Sequence, residues 1–139
     1  MIDMKRMREQ LILHEGLVLD KPYRCTSGKL TIGVGRNLDD RGISEETAMQ
    51  MLDEDINIVH GELLKLFPDF SDMPEIVQES LVDLAFNMGT TTLMKFKATL
   101  AALNAQQWAI AADELLLSRY ARQVGQRAQT ISDNIRSCA

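Results

Sequence analysis

The sequence predicts an α+β fold that is mainly α. Three observations carry this expectation. "YRCTSGKLTIGVGR", residues 23–36, has a turn glycine at Gly28 and period-two alternation along Leu30, Ile32 and Val34, the pattern of a β-hairpin. Most of the remaining chain shows apolar residues three and four apart, the period of helices. One such run, with Met51, Leu52, Ile56, Val59, Leu63 and Phe67, is long enough for a helix over about 45–66. A small hairpin, a long helix and a helical remainder imply two lobes joined by that helix. A cleft between lobes is the default ligand site.

The elements follow in order. Asp3 suits an N-cap, and Met4, Met7, Leu11 and His14 continue at helical spacing over 3–14. Gly16 can end that helix with positive φ. The hairpin follows, within a small lobe over about 15–45. "LDDRGIS" reads as a loop, with Ser44 as N-cap and Glu45 and Glu46 favoured by the helix dipole. "PDFSDMP" breaks the chain, and Pro74 suits the start of a helix that stops at Gly89. Further helices are expected near 93–96, 98–104, 108–118 and 126–136. They complete a helical lobe over about 70–139, on which the N-terminal helix is expected to pack.

The totals narrow the function. At 139 residues the chain implies one domain and buries enough surface for a core without staples. A net charge of −5 disfavours a nucleic-acid partner, because phosphate binding needs clustered Lys and Arg. Two cysteines, Cys25 and Cys138, are too few for a disulfide framework and lack zinc spacing. No metal or cofactor is implied. The first residues are too polar for a signal peptide, and no apolar run approaches a membrane span. Synthesis in a reducing cytoplasm is the resulting expectation.

Few residues could carry chemistry. Glu15 ends a helix, where unpaired carbonyls favour the acid form that a general acid uses. Its plain reading is a solvated surface glutamate. Cys25 and Thr31 flank the turn, and the strand register decides whether they meet. A thiol and a hydroxyl together could hold a water, or the pair could be a small buried side chain beside a common strand residue. "GVGRN" lacks the third glycine of a dinucleotide fingerprint, and "HEGLV" lacks the second histidine of a zinc protease. The stripe Met4, Met7, Met49 and Met51 reads as core filler.

Taken together, "HEGLVLDKPYRCTSGKLTIGVGRNL", "FNMGTTTLMKFKATLAALNAQQWAIAADELLLSRY" and "GQRAQTISDNIR" resemble the phage-type lysozymes, the muramidases of glycoside hydrolase family 24. The likeness covers most of the chain, and the order "EG", "TIGVG", "FNMG", "SR" and "QRA" is specific. It implies a single two-lobed lysozyme-like domain over 1–139, with Glu15 as proton donor. It puts Cys25 at a position filled by Asp or Cys, and Thr31 at the threonine that opens "TIG". The family usually leaves eight residues between the acid and the Asp/Cys position, and nine intervene here. The extra residue is expected in a loop at Asp20–Lys21, where it costs little. Phe86, Asn87, Thr99, Arg119 and Arg127 match cleft residues that would bind substrate. Arg36 stands where relatives often have His, and a pair with Asp55 is expected.

The resemblance further implies an endolysin that hydrolyses the β-1,4 bond between N-acetylmuramic acid and N-acetylglucosamine of peptidoglycan. Inversion by general acid/base catalysis is the expected route. The enzyme would act in phage-induced lysis, accumulating in the host cytoplasm and reaching the wall through a partner holin. A monomer is expected. The alternatives are a lysozyme-like protein that binds peptidoglycan without cutting it, and a lytic transglycosylase or chitinase on the same fold.

Overall fold

A computed structural model describes residues 1–139. It is mainly helical, with nine α-helices, one 3₁₀ turn and one three-stranded antiparallel sheet, as the α+β, mainly α expectation has it. The chain forms two compact units, Met1–Gln50 and Met51–Ala139.

The first unit opens with α1, Met4–Glu15, capped by the Asp3 carboxylate, which accepts from the Arg6 N–H at 3.0 Å. Three strands follow: β1 (Val18–Arg24), β2 (Leu30–Gly33) and β3 (Arg36–Asn37), in the order β1-β2-β3. The expected two-strand hairpin is therefore a three-strand meander. Val34 and Gly35 form a second turn instead of continuing a strand, because Gly33 and Gly35 have φ of +69 and +64 and reverse the chain. The alternation is also offset from the expected one. Thr31 is the buried residue of β2, while Leu30 and Ile32 are only half-buried.

The residue expected as a loop insertion at Asp20–Lys21 lies inside β1. Val18 pairs with Gly33 and Tyr23 with Thr31, so five steps along β1 match two along β2. The surplus is taken up as an irregular, bulged register. Pro22 is tolerated there because β1 pairs on one side only.

"LDDRGIS" is not all loop. Leu38–Arg41 form a short helix, α2, started by Asn37, whose side chain accepts from the Asp40 N–H at 3.0 Å. Asp39 in α2 accepts from the Leu30 N–H at 2.8 Å, and Lys29 pairs with Asp40 at 3.2 Å. Helix α3, Glu45–Leu66, begins at Ser44, whose hydroxyl accepts from the Thr47 N–H at 3.1 Å. Met4, Met49 and Met51 are exposed rather than core filler.

The second unit holds the hydrophobic core. The apolar stripe of α3 is deeply buried only toward its end, at Leu63, followed by Phe67. A 3₁₀ turn, Phe70–Asp72, leads to α4 (Glu75–Met88), preceded by Pro74 and ended at Gly89. Then come α5 (Thr90–Leu93), α6 (Lys97–Asn104), α7 (Trp108–Leu116), α8 (Arg119–Val124) and α9 (Gln126–Arg136). Helix α8 was not expected from apolar spacing. It is started by Ser118, whose hydroxyl accepts from the Ala121 N–H at 3.2 Å, and stopped by Gly125. Helix α9 packs on α7 and α4, and Ser132 spends its buried hydroxyl on the Ala112 carbonyl at 3.0 Å.

Val77, Leu81, Leu84, Leu103, Leu115 and Ile135 are fully buried in this core. Truncating one leaves a cavity that the packed helices fill only in part. Leu81→Ala should lower unfolding free energy by about 3 kcal/mol, read as a shifted midpoint in urea with an unchanged slope.

Candidate active site

Glu15 is the last residue of α1, and the chain turns at Gly16, whose φ of +81 and ψ of 171 suit glycine. Glu15 is exposed. Its carboxylate lies over the turn between β2 and β3: a Cβ added to Gly35 would stand 2.9 Å from Glu15 Oε2. Close approach and a positive φ of +64 both call for glycine there. The "GVG" that fails as a nucleotide fingerprint thus seats the acid.

At the other end of β2, Cys25 opens the turn from β1. Its N–H donates to the Lys29 carbonyl at 2.9 Å, and its carbonyl accepts from the Gly28 N–H at 2.8 Å. Arg24 braces the same turn by donating to the Gly28 carbonyl at 3.1 Å. Inside the turn, the Cys25 sulfur and the Ser27 hydroxyl share a hydrogen bond of 3.1 Å.

The register answers whether Cys25 and Thr31 meet. Tyr23 stands opposite Thr31 and Arg24 opposite Leu30, so Cys25 faces Lys29 and lies diagonal to Thr31 on one face. The Thr31 hydroxyl donates to the Lys29 carbonyl at 2.9 Å, the same oxygen that receives the Cys25 N–H. The thiol is partly exposed and lowered to about 7. The Ser27 hydroxyl is the largest cause, followed by backbone bonds at Lys29 and Ser27. Partial desolvation works the other way, and the Thr31 hydroxyl adds a small lowering effect. Ser27, which has no adjacent base in the sequence and so does not read as a nucleophile there, acts instead on the Cys25 thiol; a hydroxyl two residues past Cys25 in a glycine turn is a readable signal.

Arg36 takes part in none of the chain's four ion pairs. Its Nε donates instead to the Gly42 carbonyl at 3.0 Å, tying β3 to the end of α2.

The five expected substrate contacts lie in the second unit and fall into two groups. Thr99, buried, and Arg119, at the start of α8, line a groove of about 330 Å³ with Lys95, Lys97, Glu114 and Tyr120. Phe86, exposed near the end of α4, lines a smaller recess of about 210 Å³ with Arg127 on α9. Asn87, beside Phe86, is exposed. Arg127 is no free solvated cation: its Nε and one terminal nitrogen donate to Asp83 Oδ1 at 2.8 and 2.5 Å. That terminal nitrogen also lies 3.2 Å from the Asp83 carbonyl. The Tyr120 phenol is buried without a hydrogen-bond partner. Its pKa is raised, mainly by desolvation; Arg127 opposes the rise and Asp83 adds to it.

A family model described as phage lysozyme matches residues 13–134. This chain belongs to the phage lysozyme family. The matched span includes all eight candidate residues, from Glu15 to Arg127. Membership in the phage lysozyme family supports a peptidoglycan-hydrolysing lysozyme and so a glycoside hydrolase. Among curated individual proteins, none gives a significant match to the chain. No helix is long and apolar enough to cross a membrane.

The thiol geometry has a direct chemical readout, since thiolate is the form that alkylates. The rate of Cys25 alkylation by iodoacetamide should reach half its plateau near pH 7. In Ser27→Ala the thiolate loses its main stabilising bond, and the midpoint should move to higher pH. Mass spectrometry of the Cys25 peptide across a pH series reads both.

Proposed function

We propose that this phage lysozyme hydrolyses the β-1,4 bond between N-acetylmuramic acid and N-acetylglucosamine in peptidoglycan, with inversion. One observation carries the reading: Cys25 and Thr31 share a face at one end of β2, while Glu15 packs on the turn at the other end. Single displacement needs an acid on one side of the scissile bond and a held water on the other, about 6.5–9.5 Å apart. Groups on opposite turns of one strand suit that task.

Glu15, in its acid form, gives its proton to the glycosidic oxygen as the bond to the anomeric carbon breaks. A water attacks that carbon from the opposite face. The Thr31 hydroxyl has its hydrogen committed to Lys29, so toward the water it acts as acceptor. The Cys25 thiolate accepts the water's other proton as the new C–O bond forms. A thiol at about 7 is roughly half thiolate at neutral pH, against a few per cent for an ordinary one. That difference makes cysteine workable where a carboxylate would otherwise be needed. Solvent then returns a proton to Glu15 and takes one from Cys25.

The remaining assignments rest on the family likeness. Phe86, Asn87, Thr99, Arg119 and Arg127 contact the glycan strand. The enzyme is a monomeric endolysin made in the host cytoplasm, and it reaches the wall through a holin during phage-induced lysis. The lowered thiol also fits a second route, in which Cys25 attacks the sugar and configuration is retained. The anomer released first, followed by NMR, separates the two.

Clearing of purified peptidoglycan tests the central assignment. Glu15→Gln should lower the rate at least about a hundredfold while the thermal midpoint holds; near-wild-type clearing would refute Glu15 as the acid, and a wild type that binds peptidoglycan without clearing it would favour a binding role. In Gly35→Ala the new methyl should push the flexible Glu15 side chain aside rather than unfold the turn. The rate should fall roughly tenfold or more, with a stability loss of about 1–2 kcal/mol from the strained φ.

A further inference from the structure

The recess that holds Phe86 and Arg127 contains a residue with no role assigned so far. Its lining is Leu52, Ile56, Glu79, Val82, Asp83, Phe86 and Arg127. Asp83 and Phe86 are three residues apart on α4 and therefore neighbours on its surface. The Asp83 carboxylate takes the Nε edge of Arg127 at 2.8 and 2.5 Å, with its own carbonyl 3.2 Å from the same terminal nitrogen. A guanidinium carries five donors in a rigid plane. Asp83 engages Nε and one terminal nitrogen, which leaves the other terminal nitrogen unengaged.

We propose that Asp83 is a positioning residue that locks the Arg127 plane and cancels its charge, so that the free edge donates to an uncharged acceptor on the glycan. The inference rests on the reading of Arg127 as a substrate contact. Three consequences follow from the geometry. The arginine's torsions are fixed before substrate arrives, so less entropy is lost on binding. Its positive charge is balanced by Asp83, and Glu79 makes the recess net negative, which disfavours an anionic group. The exposed ring of Phe86 offers an apolar face beside that edge. Together these describe a seat for a neutral N-acetylated sugar, with the ring against Phe86 and an acetamido or hydroxyl oxygen on Arg127. The lining offers no match for the carboxylates of the peptide stem.

The test compares wild type with Asp83→Ala, Asp83→Asn, Arg127→Ala and the Asp83→Ala/Arg127→Ala double variant. Initial rates on purified peptidoglycan give KM and kcat, and the ¹⁵N-labelled protein reports the Arg127 Nε–H resonance. Asp83→Ala should lose the shifted, slowly exchanging Nε–H signal and raise KM about fivefold, with kcat changed less. Asp83→Asn keeps an acceptor and should recover most of both. In the Arg127→Ala background, the Asp83 change should add almost nothing to KM, since both act through one contact. A neutral N-acetylglucosamine oligomer should protect the Nε–H signal with little dependence on salt.

If Arg127→Ala raises KM but Asp83→Ala does not, the positioning role fails while the substrate contact stands. If Arg127→Ala leaves KM unchanged, both fail. If oligomer binding weakens steeply with salt, or Asp83→Asn strengthens binding of the anionic stem rather than the neutral sugar, the assignment of an uncharged acceptor is wrong.

Discussion

The backbone oxygen of Lys29 holds the Cys25–Thr31 end of the candidate site in register. It accepts from the Cys25 N–H and from the Thr31 hydroxyl, both at 2.9 Å. That double use ties the first residue of the turn to the buried residue of the next strand. Cys25 and Thr31 both take their places from it, and the Ser27 hydroxyl in turn bonds the Cys25 sulfur. The acid is set by a different means, a turn at Gly35 that leaves room where any side chain would intrude. One end of β2 is thus defined by donated hydrogens and the other by space.

The two units are stabilised differently. In the first, Thr31 is the only buried residue, and order comes from caps, turns and ties such as Leu30 to Asp39. In the second, a continuous core from Leu63 to Ile135 does the work. Hydrogen bonds near solvent are worth about 0.5–1.5 kcal/mol each, and buried aliphatic side chains several times that in aggregate. Segments held by exposed bonds open locally at lower cost than a packed core. Glu15, Cys25 and Thr31 therefore sit in the softer unit, while Phe86 and Arg127 sit in the stiffer one.

Much of this was legible in the sequence. Caps at Asp3 and Ser44 and stops at Gly16 and Gly89 rest on local chemistry that the chain states outright. The motif order around Glu15, "TIGVG" and "FNMG" pointed to the family. Other features were illegible because they depend on pairing. The bulge in β1 is a mismatch between two strands, and neither strand announces it alone. The burial of Thr31 rather than its apolar neighbours follows from which face the register turns inward. The Asp83–Arg127 pair joins residues far apart in the chain, and the likeness to relatives named only the arginine. Ser27 was within reach, since the turn at Gly28 was already recognised.

The bulged outer strand has a further consequence, for association between molecules. A free strand edge offers its unpaired amides to any neighbour and is a common start for polymerisation. Here that margin carries Pro22, which has no amide hydrogen to offer, beside the charges of Asp20 and Lys21, on a strand already out of step with its partner. A second copy would find neither a regular ladder nor a neutral surface to extend. The irregularity that accommodates the extra residue therefore also discourages the small sheet from growing past β1.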